Sequence, residues 1–302
     1  MKTTPDFRVC AGPCIFLLSA FFSATPRSLP ASPAHSGHLT NPRPELGRAT
    51  SAAAIEPRAL FAATTGNGTQ VALAEGGVIL RSADGQAWSQ TLQAKVPLYA
   101  ITHGSGLFVA VGYGGAILVS ADSLSWTSRN SGTPSSLHSI AYGCGTFVAV
   151  GNEGVIVTSA DGVNWLSQKS GTDERLRGVV YAQGLFAAVG YNGTVLTSKD
   201  GVTWTGRNSQ SDGRLQGIDY GNGLFMAVGR QGLILTSKNG VYWRTGSSLP
   251  EDLDHVAYKN GAFVASSPNG AVRSSADGQR WVGEEFPTEF LAATAPGSKS
   301  GW

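Results

Sequence analysis

Cysteine is scarce in this sequence, which has three cysteines in 302 residues: Cys10, Cys14 and Cys144. The first two lie in an N-terminal leader, so a chain that loses the leader keeps Cys144 alone and cannot form a disulfide within itself. The stability of the folded part is therefore expected to come from the packing of its secondary structure.

Charged residues are also few, at 14% of the chain, and the formal net charge is +2. No run of Lys or Arg exceeds two residues, whereas nucleic-acid binding normally requires a basic patch or stripe. We therefore expect no nucleic-acid partner. Long helical periodicity is missing as well. Instead, 40 glycines separate stretches rich in Val, Ile, Thr, Phe and Ala, which is typical of short strands joined by tight turns.

The N-terminal residues 1–24 are interpreted as a signal peptide. A basic start is followed by an apolar stretch from Val9 to about Ala24, shorter than the roughly 20 residues of a membrane-spanning helix. Because Pro13 interrupts this stretch, an uncleaved anchor remains as an alternative. Residues 25–55, rich in Pro, Ser and Ala, are interpreted as a linker. We expect a secreted, periplasmic or cell-surface protein without a stable membrane span once the signal is removed.

A seven-residue motif, S-x-D-G-x-x-W or a close variant, occurs six times, as in "SADGVNW" at residues 159–165. Successive motif tryptophans are 38, 39, 39, 39 and 38 residues apart, which is a structural period. The motif residues are Ser82, Asp84, Trp88, Ser120, Asp122, Trp126, Ser159, Asp161, Trp165, Ser198, Asp200, Trp204, Ser237, Asn239, Trp243, Ser275, Asp277 and Trp281.

The repeat at residues 137–165 predicts four antiparallel strands. "LHSIAY", "TFVAVG" and "VIVTS" are separated by the turns "GCG" and "NEG", and a fourth strand is predicted to start at Trp165. Four strands in about 39 residues, repeated without helices, are typical of a β-propeller blade. We predict an all-β, six-bladed propeller with the tryptophans packed between blades. Stacking of the tryptophans on a sugar is the rival interpretation.

The motif itself is interpreted as structural. The Ser hydroxyl and the Asp carboxylate can hydrogen-bond to the turn backbone, Gly can adopt positive φ, and Trp can anchor the hairpin. An Asp that recurs once per blade is spread around a ring and cannot converge on one substrate. No catalytic residue, cofactor or metal site is therefore expected.

These residues resemble known families. The motif is similar to the Asp-box (BNR) hairpin of sialidases, and "GLFVAVG...GxIxTSxDGxxW" is similar to bacterial exported propellers grouped with photosystem II assembly-factor-like and oligoxyloglucan-hydrolase-like folds. The resemblance covers about residues 56–290. In one departure, Gly162 directly follows Asp161, whereas the Asp-box usually reads S-x-D-x-G-x-x-W. The resemblance therefore implies the fold rather than an activity.

The number of blades depends on residues 56–302, assigned to the propeller. After six repeats comes "EFLAATAPGSKSGW", in which Leu291 lies 10 residues beyond Trp281, the interval that also separates Trp88 from Leu98. A partial seventh repeat therefore begins here. We expect six blades and a closing or frayed C-terminal strand, with a truncated seven-bladed propeller as the alternative.

The leading functional hypothesis is a non-catalytic exported propeller that binds a protein or a glycan. The sialidase resemblance implies an Arg-Ile-Pro segment in the first blade, which is absent. The alternative is a glycoside hydrolase of the sialidase or oligoxyloglucan-hydrolase type, which needs two carboxylates across a cleft. Its non-repeated candidates are Glu153, Asp173, Glu174, Asp212, Asp219, Asp252 and Asp254.

A binding site is predicted on the face that carries the second hairpin turns and the inter-blade loops, because this face varies between repeats while the other is nearly uniform. We expect a protein or carbohydrate partner there, although a solvated loop face is the simpler interpretation. The candidates are Tyr113, Arg129, Glu153, Lys169, Asp173, Arg175, Tyr191, Arg207, Asp212, Arg214 and Arg230.

Overall fold

The computed structural model describes residues 60–283, which form six four-stranded antiparallel sheets arranged as the blades of a propeller. This confirms the predicted fold class. In every blade the strands are hydrogen-bonded in chain order. The predicted signal peptide, linker and partial seventh repeat lie outside the described residues. Within residues 60–283, no helix is long and apolar enough to cross a bilayer.

The strand boundaries follow the repeat. Blade 1 contains β1 (Leu60–Gly66), β2 (Thr69–Ala74), β3 (Val78–Ser82) and β4 (Ser89–Gln93). Blade 2 contains β5 (Leu98–Gly104), β6 (Leu107–Gly112), β7 (Ile117–Ser120) and β8 (Thr127–Arg129). Blade 3 contains β9 (Leu137–Gly143), β10 (Thr146–Gly151), β11 (Ile156–Ser159) and β12 (Leu166–Gln168). Blade 4 contains β13 (Leu176–Ala182), β14 (Leu185–Gly190), β15 (Val195–Ser198) and β16 (Thr205–Arg207). Blade 5 contains β17 (Leu215–Gly221), β18 (Leu224–Gly229), β19 (Ile234–Ser237) and β20 (Arg244–Thr245). Blade 6 contains β21 (His255–Lys259), β22 (Ala262–Ser266), β23 (Val272–Ser275) and β24 (Val282–Gly283).

The hairpin turns have the backbone that the sequence suggested, with one difference. Short 3-10 turns join the second and third strands at Glu75–Gly77, Tyr113–Gly115, Asn152–Gly154 and Arg230–Gly232. The fourth strand of blade 3 starts at Leu166, so Trp165 closes the preceding turn instead of opening the strand. Cys144, in the first turn of that blade, is disulfide-bonded in the full chain; the expectation concerned a chain that has lost Cys10 and Cys14, which lie outside the described residues.

The core consists of interfaces between consecutive blades. The first strands pack side by side around the propeller axis from blade 1 to blade 6. At the interface of blades 2 and 3, Val109 and Val111 meet Phe147, Ala149 and Trp165 in one buried cluster. Successive residues of each second strand therefore pack alternately against the preceding blade and the following blade.

In four of the five described junctions between consecutive blades, an aromatic ring of the later blade covers a glycine of the blade before it; blade 4 has Ala182 at this position. A Cβ on Gly143 would lie 2.0 Å from Cγ of Tyr181, whose ring packs on Phe186 at 4.6 Å. A side chain larger than hydrogen would displace this ring. The same approach occurs at Gly66 with His103, at Gly104 with Tyr142 and at Gly221 with Tyr258.

The repeated motif closes each blade at the opposite end from the 3-10 turns. In blade 3, Asp161 Oδ1 accepts the backbone N–H groups of Val163 and Asn164 at 2.8 Å each. Ser159 Oγ accepts the N–H of Gly162 at 2.9 Å, and the indole of Trp165 donates to the Gly162 carbonyl at 3.2 Å. These N–H donors hold the pKa of Asp161 well below its usual range.

Gly162 has a φ of 71°, which is why the turn favours glycine. The motif tryptophans of blades 2 to 6 pack in interfaces between blades, as predicted, whereas Trp88 contacts only the cluster of its own blade.

Candidate functional site

A β-bulge lies near the start of the first strand in blades 1 to 5. In blade 4, Leu176 pairs with Gly190 and Gly178 with Val189, so Arg177 is left out of the ladder. Bulges of this kind redirect a side chain, often beside functional sites. We call the residues at this repeat position the mouth ring; they are Phe61, Tyr99, His138, Arg177, Gln216 and, just before β21, Asp254.

Hydrogen bonds and one stacked aromatic pair connect mouth-ring residues of four blades. Arg177 donates from Nε to Gln216 Oε1 at 2.9 Å and from Nη1 to His138 Nδ1 at 3.1 Å. Because Nδ1 accepts this bond, Nε2 carries the proton that is donated to Asn152 Oδ1 at 2.7 Å. Tyr99 stacks on His138, with ring centroids 5.5 Å apart. These contacts fix the orientation of the Arg177 guanidinium.

Among residues 60–283, no direct ion pair neutralises the charge of Arg177. Burial, together with the Arg177 charge, lowers the pKa of His138 to about 4, so its imidazole is neutral at pH 7. Burial also raises the pKa of Asp254, although Arg177 and Arg230 oppose this shift. Among residues 60–283, the ion pairs are Arg230 with Asp252 and Arg273 with Glu251. No described carboxylate therefore lies within ion-pair distance of Arg177.

Aromatic and basic side chains surround the mouth ring. The guanidinium carbons of Arg175 and Arg214 lie 5.3 Å and 5.2 Å from the ring centroid of Tyr191, so two cations contact one aromatic ring. The N–H of Tyr191 donates to the Arg175 carbonyl at 2.9 Å, and that of Arg230 to the Arg214 carbonyl at 3.0 Å. These bonds hold the second hairpin turns against the residues that precede the first strands.

The structure divides the predicted site residues into two groups. Tyr113, Arg175, Tyr191, Arg214 and Arg230 lie in these turns or just before the first strands, beside the mouth ring. Tyr113 is 57% exposed.

Glu153 also lies in a second hairpin turn, Asn152–Gly154, beside the mouth ring, and it accepts a hydrogen bond from Ser135 Oγ at 3.0 Å. The remaining predicted residues lie farther along their blades. Arg129 and Arg207 are on the fourth, outermost strands, where Arg207 Nε donates to Thr197 Oγ1 at 2.8 Å. Lys169, Asp173 and Asp212 are exposed residues that follow the outermost strands β12 and β16.

The mouth ring is not among the binding residues predicted from the sequence, although Asp254 is one of the carboxylates named for the hydrolase alternative. A signal is present: each ring residue directly follows the leucine that opens its repeat, and the six following residues are Phe, Tyr, His, Arg, Gln and Asp. This strand position is as variable between repeats as the loops are.

One of the non-repeated carboxylates, Asp219, is held by backbone groups on both of its oxygens. Asp219 accepts backbone N–H groups from Tyr220 at 2.8 Å and from Tyr258 of the next blade at 2.7 Å. Burial raises its pKa to about 6 despite these donors. This carboxyl joins blades 5 and 6, so a structural role accounts for both of its oxygens. Within the described part of the chain, no group of three or more His, Cys, Asp or Glu residues could hold a metal ion.

Comparisons with known proteins support the fold. No family model and no curated protein matches the chain. Among solved structures, "YCF48 bound to D1 peptide" is 18% identical, with a TM-score of 0.60, covering 76% of this chain and 81% of that one. YCF48 from Cyanidioschyzon merolae is 15% identical, with a TM-score of 0.60, covering 81% and 89%. The computationally designed Ika8 protein is 16% identical, with a TM-score of 0.58, covering 76% of each chain.

These identities establish similarity of fold alone. The predicted resemblance to photosystem II assembly-factor-like propellers is confirmed for the fold. The resemblance to sialidases and to the Asp-box hairpin stays a prediction from the sequence. The chain is a six-bladed β-propeller whose structural neighbours include YCF48.

Proposed function

We propose that this protein is a non-catalytic, exported binding propeller that holds an extended acidic segment of a partner protein across the mouth ring. The observation that carries the proposal is Arg177, a largely buried guanidinium that is oriented by His138 and Gln216 and has no carboxylate of residues 60–283 within ion-pair distance, although it interacts electrostatically with Asp254. A desolvated cation is costly unless an anion completes its environment. A carboxylate of a bound partner supplies that anion.

The residues around Arg177 favour a polypeptide over a neutral glycan. Arg175, Arg214 and Arg230 add cationic donors, and guanidinium groups bind carboxylates through charge-assisted, often bidentate hydrogen bonds. Tyr191 and the exposed Tyr113 add the aromatic area that is enriched in protein interfaces. That one YCF48 structure is described as bound to a peptide is consistent with this use of the fold.

Binding of defined peptides tests the proposal. Peptides selected from a random display library on the purified protein are expected to be rich in Asp and Glu, and their affinity is then measured by calorimetry. Arg177→Gln removes the charge and is expected to weaken binding tenfold or more, about 1.4 kcal/mol. The matched control is Arg280→Gln, an exposed arginine in the motif turn of blade 6, at the opposite end of the blades.

Equal affinity of the two variants for the selected peptides would exclude the mouth ring as the binding site. Export is tested separately by N-terminal sequencing of the protein from a secreting host, since an intact Met1 in the soluble fraction contradicts signal removal.

A further inference from the structure

The charges around the mouth ring are distributed unevenly. Arg177 lies on the first strand of blade 4, and Arg214 directly precedes the first strand of blade 5. The chain that enters blade 6 carries three carboxylates just before its first strand, at Glu251, Asp252 and Asp254. The mouth therefore has a basic side and an acidic side, and a purely acidic segment would complement only the first of them.

Two of the three carboxylates already have partners. Glu251 accepts a hydrogen bond from Nε of Arg273 at 2.5 Å, within blade 6. Asp252 forms an ion pair with Arg230 at 3.8 Å. It also accepts the backbone N–H of Gln231 at 2.7 Å. Both side chains are therefore engaged within the protein, and an incoming cation gains least from them.

Asp254 lacks such a partner. It is half-buried, and among residues 60–283 its carboxylate has no hydrogen bond and no ion pair. Burial raises the pKa of this carboxyl, and the charges of Arg177 and Arg230 oppose the shift without reversing it. A further cation placed beside Asp254 would therefore stabilise its charged form.

Arg177 and Asp254 belong to the same mouth ring but do not form an ion pair within the described part of the chain. They lie two blades apart and interact electrostatically. Gln216 of blade 5 stands between them in the ring, and its Oε1 accepts a hydrogen bond from Arg177 at 2.9 Å. Blades 4, 5 and 6 thus present a cation, an amide and an anion at one repeat position.

We propose that the partner segment carries both charges: an Asp or Glu that binds Arg177 and, an even number of residues away, a Lys or Arg that binds Asp254. This inference rests on the proposed function and makes Asp254 a residue that determines specificity. In an extended segment every second side chain points to the same face, with residues i and i+2 about 7 Å apart. An acidic residue opposite Asp254 would instead meet a like charge, which disfavours uniformly acidic partners.

Peptide selection from the same random library tests this inference. The wild-type protein is expected to select peptides in which Lys or Arg recurs at a constant, even spacing from an acidic residue. Replacing this cation of a selected peptide by Gln is expected to weaken binding about fivefold in the wild type and to have no effect in Asp254→Asn. The matched control is Asp277→Asn, at the motif end of blade 6, because Asn239 holds the same position in blade 5 with the same backbone bonds.

A charge exchange and a shifted peptide sharpen the test. Asp254→Lys, paired with a peptide that has Glu in place of its cation, is expected to recover the affinity that either change alone loses. A peptide whose cation is moved by one residue presents it on the opposite face and is expected to bind as weakly as the Gln peptide.

Three results would overturn the inference, and they separate it from the proposed function. Selected peptides that are acidic but have no cation at constant spacing would exclude the contact with Asp254 and leave the proposed function in place. Equal loss of affinity in the wild type and in Asp254→Asn would assign the cation to another contact. Selected peptides without an acidic residue would overturn the proposed function together with this inference.

Discussion

The two ends of the blades follow opposite patterns. At the motif end, the same bonds recur in most blades: an Asp, or Asn239 in blade 5, accepts two backbone N–H groups, a Ser accepts a third, and a Tyr or His covers a glycine of the preceding blade. At the mouth end, one bulged position holds six different residues. A side chain that fills a repeated interface cannot vary without loss of packing, whereas one that a bulge turns out of the ladder is free to vary. Uniformity marks the first end as structural and variation marks the second as the candidate site.

The largest effect expected from this contrast is on the core phenylalanines of the motif end. Phe186→Ala removes a fully buried ring from the interface of blades 3 and 4 and is expected to lower the free energy of unfolding by about 3–5 kcal/mol. Denaturant unfolding followed by tryptophan fluorescence measures the change.

Gln70→Ala is the matched control, because Gln70 occupies the same repeat position in blade 1, whose own core cluster contains no residue of another described blade. We expect it to change the free energy of unfolding by less than about 0.5 kcal/mol. If the two variants lost equal stability, the contrast between these repeat positions would fail.

The repeat period made the motif end predictable. The spacing of the tryptophans predicts six blades, and Gly162 in the motif indicates a turn with positive φ from the sequence alone. The mouth ring could not be predicted in the same way, because the bulge that releases Arg177 from the ladder leaves no mark of its own in the sequence. Its contacts with His138 and Gln216 join residues 39 apart, and only the curvature of the ring brings them together.

The pH dependence of stability is expected to have opposite signs at the two ends. The pKa of His138, at the mouth, is lowered from 6.5 to about 4, so the unfolded chain takes up this proton first and stability falls as the pH drops from about 6.5 to 4. The pKa of Asp219 is raised from 3.8 to about 6, so the folded chain takes up that proton first and stability rises as the pH drops from about 6 to 4. Each effect is at most about 3 kcal/mol.

Two single variants separate these contributions. His138→Gln is expected to reduce the loss of stability between pH 6.5 and pH 4, and Asp219→Asn is expected to increase it, as measured by urea unfolding across this range. His255, whose pKa burial also lowers to about 4, contributes with the same sign as His138 and is retained in both variants. Parallel stability curves for the two variants would contradict the assignment of opposite shifts.

The smallest change in stability is expected for double variants of the candidate arginines. One pair lies at the mouth and the other on the outermost strands, and the two pairs are expected to differ clearly in peptide binding. Arg214→Gln with Arg230→Gln alters the mouth, and Arg129→Gln with Arg207→Gln alters the outermost strands. Because these side chains are wholly or partly exposed, both pairs should change the free energy of unfolding by less than about 1 kcal/mol. Only the first pair removes a guanidinium from Tyr191 and the charge that faces Asp252, so only it is expected to weaken binding of the selected acidic peptides. Because both variants are expected to be similarly stable, calorimetric titration of one peptide into each compares their affinities directly.

Weaker binding by the outer pair, with the mouth pair unchanged, would move the site from the axis to the edges of the blades and leave Arg177 as a structural residue.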